Sequence, residues 1–297
     1  TLTGLAPDPP MIVDYVQGEL HLDGEGDLDQ LIVDDSGDTV ANTGAYQGDR
    51  VTGLGMPVGG QIIFDADDDI LIKLGDNDDT FYVPATNQGL TTTVDLGFGF
   101  DRIYGGTTQG QENSGSLDNI KGTFIVQDPS NEQIDEFYLN DQSTTAQQTF
   151  VIKNDTSGES IFDDSTSIRR GNGGGFIYRG IETVVVNGGS GDDTFDLQST
   201  HRENALSGAA ATFTVNTGTG RNTLSLGETV GGLSSLRPFQ IDVDNPSVIQ
   251  NEKAEFDRGH LVAFDFLGST LALERTEFVQ FREADQTIQL SAGRQGA

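Results

Sequence analysis

One unit of sequence recurs along this chain. A recurring unit constrains a fold more than any single motif, because each copy must bury its apolar face against the next. Gly59 to Val83 reads GGQIIFDADDDILIKLGDNDDTFYV, and Gly173 to Leu197 reads GGGFIYRGIETVVVNGGSGDDTFDL, the same pattern 114 residues on. Thr92 to Gly106 matches Phe213 to Gly227 at a displacement of 121, and Leu117 to Gly122 matches Leu233 to Pro238 at 116. Leu28 to Ser36 matches Ile134 to Gln142 at 106. The matches keep their order while the displacement drifts, as small loop insertions would make it. A partial third copy follows in Thr276 to Phe281 and Asp285 to Leu290. The chain therefore divides into a leading segment 1–17, a first unit 18–116, a second 117–232 and a partial third 233–297.

Within each unit, short β-branched runs of four to six residues alternate with Gly-Asp turns, and no helical periodicity of useful length intervenes. This predicts an all-β fold. Coils of ~20–30 residues that return to one pattern predict a parallel β-solenoid of about two and a half imperfect repeats, with repeated β-sandwiches as the alternative. Aligning the copies separates the two faces of each strand. Ile70 and Ile72 align with Val184 and Val186 and with Val279 and Phe281, whereas the residue between them is Leu71, Val185 or Gln280. A position apolar in every copy faces the core, and side chains alternate along a strand. By this reading Phe81, Val83, Phe195, Leu197, Ile288 and Leu290 point inward, and Tyr82, Asp196 and Gln289 point outward.

The most specific string is Gly188 to Asp196, GGSGDDTFD, which fits the nonapeptide G-G-x-G-x-D-x-U-x at each fixed position. Leu96 to Tyr104 keeps Gly97, Gly99, Asp101 and Ile103; Leu74 to Tyr82 keeps Gly75, Asp79 and Phe81, with Asn77 in place of a Gly. Thr217 to Ser225 keeps Gly218, Gly220 and Leu224, with Asn222 where the Asp belongs. These turns resemble the hemolysin-type (repeats-in-toxin) calcium-binding repeat. Glycines let such a turn take positive φ, and the Asp supplies a hard anionic oxygen. Calcium takes six to eight oxygens, so neighbouring turns must share an ion. The resemblance implies calcium held by Asp79, Asp101, Asp193 and Asn222 with the backbone of Gly75, Gly97, Gly99, Gly189 and Gly191. Stacking would put Asp79 by Asp101 and Asp193 by Asn222. The acidic runs Val33 to Asp38 and Asp65 to Asp69 read as solvated loops.

Composition narrows the function. With 47 acidic against 16 basic residues and a net charge of -31, the surface repels phosphates, which excludes an electrostatic grip on nucleic acid. The absence of Cys removes disulfides and thiol chemistry. No apolar run approaches the ~18 residues of a membrane span, so membrane insertion is not expected. His21, His201 and His260 share no recurring context, and neither a nucleophile elbow nor a zinc-protease helix is present. Arg102 and Lys73, beside the turns, are the cations a calcium-dependent lyase would need, but they read more simply as charge compensation. The expectation is a protein that is not an enzyme. Strands of the IETVVV type leading into GGSGDDTF turns resemble the repeats of very large secreted bacterial surface proteins and adhesins. That likeness implies an extracellular or cell-surface structural or adhesive segment, rigidified by calcium. Its partners would be neighbouring repeats of the same chain, a second copy end to end, and cell-surface glycans. A carbohydrate-binding or polysaccharide-cleaving β-helix is the alternative, and it predicts an exposed aromatic row.

Overall fold

The structure is a computed structural model. Its strands run β1 (Glu19–Leu22), β2 (Gln30–Asp34), β3 (Thr43–Tyr46), β4 (Arg50–Gly53) and β5 (Gln61–Phe64). They continue with β6 (Asp69–Lys73), β7 (Thr80–Val83), β8 (Thr91–Asp95), β9 (Arg102–Gly105) and, after a single 3-10 turn at Leu117–Asn119, β10 (Thr123–Gln127). Then come β11 (Glu136–Asn140), β12 (Thr149–Asp155), β13 (Ser165–Arg170), β14 (Gly175–Arg179) and β15 (Thr183–Asn187). These are followed by β16 (Thr194–Leu197), β17 (Thr212–Asn216), β18 (Asn222–Leu226) and β19 (Phe239–Gln240). The last five are β20 (Lys253–Asp257), β21 (His260–Phe266), β22 (Ser269–Ala272), β23 (Thr276–Phe281) and β24 (Gln289–Ala292). The structure describes residues 11–24, 30–65, 69–128, 134–155, 165–171, 173–197, 212–220 and 222–226, and beyond these only the backbone of β19 to β24.

The fold is all-β, with no α-helix among the described residues. Two open ten-stranded mixed sheets dominate. The first runs β1-β5-β4-β3-β7-β9-β11-β15-β17-β19, and the second β2-β6-β8-β10-β14-β13-β12-β16-β18-β23. From β6 to β12 successive strands alternate between the sheets, and each of β6 to β9 pairs in parallel with the strand two places on, as in β7 with β9 and β8 with β10. The direction reverses only at two antiparallel excursions, β3-β4-β5 in the first sheet and β12-β13-β14 in the second. Those excursions are equivalent elements of the two repeats. An odd number of crossings separates equivalent strands, so a strand of unit one finds its counterpart in the opposite sheet: β6 lies in the second sheet and β15 in the first.

The core is one continuous apolar cluster between the sheets. Burial alternates along β5, β6, β14 and β15, which places Ile70, Ile72, Val184 and Val186 inside and leaves Leu71 and Val185 half-buried. Phe81, Val83, Phe195 and Leu197 are buried too. Aromatic rings join the sheets edge to face: Phe124 of β10 meets Phe137 of β11 at 5.6 Å, and Phe137 meets Tyr178 of β14 at 6.3 Å. Each such pair contributes ~0.5–1.5 kcal/mol beyond its burial.

Two outward expectations need correction. Tyr82 and Asp196 occupy outer-face positions yet are buried. Tyr82 stacks on Tyr104 at 5.1 Å and donates its hydroxyl to Glu112, whose loop covers it. Asp196 lies between Val151 of β12 and Ser225 of β18, with a strand on either side. Ile288 lies outside the described residues, as do the side chains of Val279, Gln280, Phe281, Gln289 and Leu290. The backbone of β23 nevertheless pairs Val279 with Leu224 and Phe281 with Leu226. β24 belongs to a separate four-stranded sheet, β22-β21-β20-β24.

Candidate functional site

The turns singled out by the repeats lie at crossings between the sheets, one rung apart. Thr80 is in register with Arg102 and Thr194 with Thr223, so Asp79 comes beside Asp101 and Asp193 beside Asn222. Contact is direct. The Asp79 N–H donates to Asp101 Oδ1 at 2.7 Å, and the Asp193 N–H donates to Asn222 Oδ1 at 2.8 Å.

The first contact belongs to a longer column. The Asn42 N–H donates to Asp79 Oδ1 at 2.6 Å, the Asp101 N–H to Asp135 Oδ1 at 2.9 Å, and the Asp135 N–H to Glu182 Oε2 at 2.8 Å. One carboxylate therefore stands before each of β7, β9, β11 and β15 and ties it to the preceding rung. A shorter column serves the second sheet, where the Gln148 N–H donates to Asp193 Oδ1 at 2.7 Å. The other oxygens of Asp79 and Asp193 accept the N–H of Gly75 and of Gly189, each in its own turn, at 3.2 and 3.3 Å. These acceptors satisfy backbone donors that the turns would otherwise bury unpaired.

The glycines follow from the same closeness. A methyl group on Gly97 would lie 2.3 Å from the Gly75 carbonyl oxygen, and one on Gly189 2.1 Å from that of Thr144. At Gly75, Gly99 and Gly191 the nearest backbone atom would be 2.7, 2.3 and 2.6 Å away. No side chain fits where turns are stacked this tightly. Asn77, which replaces a motif glycine, still takes a φ of 103°, a conformation Asn tolerates better than most residues.

Burial sets the protonation of the column. It pushes the Asp101 carboxyl up to about 9 and that of Asp135 to about 8, each helped by the charge of acidic neighbours; Asp79 is also raised, and Asp193 reaches about 6. Asp101 Oδ2 is buried without a partner. At neutral pH Asp101 therefore holds a proton, and the turn residues act as hydrogen-bond acceptors spread along a column.

Three carboxylates do converge, at residues the sequence reading did not choose. One oxygen from each of Asp14, Asp35 and Asp38 lies within 4.8 Å of the others. Asp35 and Asp38 were expected in a solvated loop, but both are buried, because the segment around Val13 folds over them and donates its N–H to Asp35 Oδ1 at 2.9 Å. Burial and the charges of Asp38 and Asp14 push the Asp35 carboxyl to about 7. A signal existed in the sequence: the match of Leu28 to Ser36 with Ile134 to Gln142 aligns Asp35 with Asp141.

The remaining candidates find structural partners. Arg102 donates to Glu136 at 2.8 Å and lies over the Phe100 ring at 4.3 Å, and Lys73 pairs with Asp34 at 3.0 Å. An aromatic row exists on the outer face, where Tyr82, Tyr104 and Tyr138 stack at 5.1 and 4.9 Å. Both faces of Tyr104 are covered by its neighbours. A polar cleft of about 630 Å³ opens beside Arg170, between Gln88, Asp118, Lys121 and Gln148. Comparison with family models, curated proteins and solved structures finds no match for this chain.

Proposed function

We propose that the chain is a structural segment of a large extracellular or cell-surface protein, wound as a parallel β-solenoid and serving as a stiff spacer or adhesive stalk. The observation that carries this reading is the set of side-chain ladders along the stacking axis. Besides the carboxylate and tyrosine ladders there is an amide one: Asn187 Nδ2 donates to Asn140 Oδ1 at 2.7 Å, and Asn216 Nδ2 to Asn187 Oδ1 at 2.6 Å. Ladders of this kind lock successive strands in register and resist sliding. The edge strand β2 pairs with β6 and, among the described strands, with no other, which suits a neighbouring repeat or a second copy as partner. The charge of -31 and the likeness of the turns to those of secreted surface proteins support the extracellular setting.

Pulling single molecules from their two ends tests the reading. A solenoid should unravel coil by coil, with contour increments of about 80–160 Å for coils of 22 to 47 residues. One event that releases the whole chain would point instead to sandwich domains. A glycan-binding role needs open ring faces, which the stacked tyrosines do not offer; saturable retention on a glycan array, or cleavage of a polysaccharide, would overturn the spacer reading.

A further inference from the structure

The two repeats can be superposed contact by contact at the corner where Asp35 lies. The Val13 N–H donates to Asp35 Oδ1 at 2.9 Å, and the Leu117 N–H donates to Asp141 Oδ1 at the same distance. Gly37 donates to Met11 O as Ser143 donates to Gly115 O, and Val16 donates to Val13 O as Ile120 donates to Leu117 O. Asp38 donates to Asp35 O as Thr144 donates to Asp141 O. Asp14, Asp35 and Asp38 are therefore the counterparts of Asp118, Asp141 and Thr144. Strand pairing aligns the fourth member: Gly44 faces Gly53 as Phe150 faces Arg170.

In the second repeat that fourth member is a cation. Arg170 donates Nε to Asp141 Oδ2 at 2.7 Å, and Nη2 to Asp118 Oδ1 at 2.7 Å, to Asp141 Oδ1 at 3.0 Å and to Thr144 Oγ1 at 3.3 Å. In the first repeat the counterpart is Gly53, which has no side chain to offer, and the threonine has become a third acid. Two of the oxygens that accept from Arg170 in the second repeat, Asp141 Oδ2 and Asp118 Oδ1, correspond to oxygens buried without a hydrogen-bond partner in the first, Asp35 Oδ2 and Asp14 Oδ1. Asp35 is only 1 % exposed, so water does not compensate it. Two nearly closed acids plus a third, with no counter-charge among the described residues, amount to a cost that the matching corner avoids by its guanidinium.

We infer that Asp14, Asp35 and Asp38 form a binding site for one divalent cation, which takes the place that Arg170 fills in the second repeat. Three carboxylates and no nitrogen or sulfur ligand define a hard, oxygen-seeking ion of the calcium or magnesium class, with water completing the shell. Asp38 brings its second lone pairs, since its Oδ1 already accepts the Val40 N–H at 3.0 Å and its Oδ2 the Asn42 side-chain amide. None of these residues belongs to the Gly-Asp turns, and the site stands whether or not the chain is a stalk.

The test is a calorimetric titration of the whole chain, first stripped with chelator, using calcium chloride and then magnesium chloride. One ion should bind per chain, raise the melting temperature, and be lost in Asp35→Asn and in Asp14→Asn. Asp118→Asn, at the matching corner, should keep it. If Asp35→Asn does not fold, Asp14→Asn, at the half-buried residue, carries the test. Terbium adds a second readout, because Tyr15, 79 % exposed and next to Asp14, should sensitise its emission, and excess calcium should quench it. Absence of binding to the stripped wild-type chain would overturn the proposal. So would binding that survives both Asp variants, which would move the ion to the turns of Asp79 and Asp101.

Discussion

The two repeats build the same turns with different charges. In the first, Asp101 accepts the Asp79 N–H; in the second, its counterpart Asn222 accepts the Asp193 N–H with nearly the same geometry. The amide nitrogen of Asn222 donates to Thr217 O at 3.0 Å, whereas the matching oxygen of Asp101 is buried without a partner. A protonated Asp101 restores the likeness, since its O–H can do what the Asn222 amide does. The corner of Asp35 and Asp141 repeats the lesson, with a guanidinium on one side and a cluster of acids on the other. Backbone stacking dictates where an acceptor oxygen must stand. It does not dictate how the charge on that oxygen is balanced, and the repeats have settled that point differently.

The largest effect should come from removing the internal cation. Arg170→Met leaves Asp141 buried beside no counter-charge, and breaking such a pair costs ~3–5 kcal/mol. Urea unfolding should show that loss, and adding Asp141→Asn should recover much of it. If Arg170→Met alone is neutral, the two corners do not differ as described. Next come the stacked glycines. Gly97 and Gly89 both have positive φ, but only Gly97 has a carbonyl where a methyl would go. Gly89→Ala should cost about 1 kcal/mol for the backbone strain alone, and Gly97→Ala roughly 2–4 kcal/mol. Equal losses would mean that the turns are not in contact.

Smaller effects separate Asp101 from Asn222. Asp101→Asn should change stability by less than ~1 kcal/mol near pH 4, where the folded and unfolded chains both still hold the proton, because it copies the second repeat. It should also flatten the dependence on pH. A carboxyl whose pKa rises on folding keeps a proton that the unfolded chain gives up above about 4. Its contribution is therefore complete below that pH and is lost as pH climbs through the folded values of about 6 for Asp193, 8 for Asp135 and 9 for Asp101. In chelator, the melting temperature should fall steadily from pH 5 to pH 9. A rise over that range would contradict the assignment of protons to the column.

Much of this fold was legible because alternation and repetition report burial directly. Ile70, Ile72, Val184 and Val186 are apolar in each copy for the reason that they face one core. The spacings of 22 and 29 residues brought Asp79 to Asp101 and Asp193 to Asn222. Other features were hidden. The hairpins β3-β4-β5 and β12-β13-β14 leave the direction of the stack without changing the repeat pattern, so a pattern alone could not reveal them. The exchange of sheets between repeats depends on an odd count of crossings, which needs every strand to be known. Asp14 escaped notice because it falls in the segment read as leading into the first unit, although its contacts match those of Asp118. The glycines were read only for an ion, and the structure shows a further reason for them, since each admits the carbonyl of the preceding turn.

Spin-label distances along the second sheet test the stacking most directly, and the absence of Cys makes the labels unambiguous. With one label at Ile32, partners at Ile177, Ser167 and Lys153 stand four, five and six strands away in register. At ~4.8 Å per strand the distances should be about 19, 24 and 29 Å. Distance should thus grow as residue number falls, a reversal peculiar to β14-β13-β12 lying within a parallel stack. Three equal distances, or the opposite order, would contradict the stacked architecture from which the ladders and the corner sites are argued.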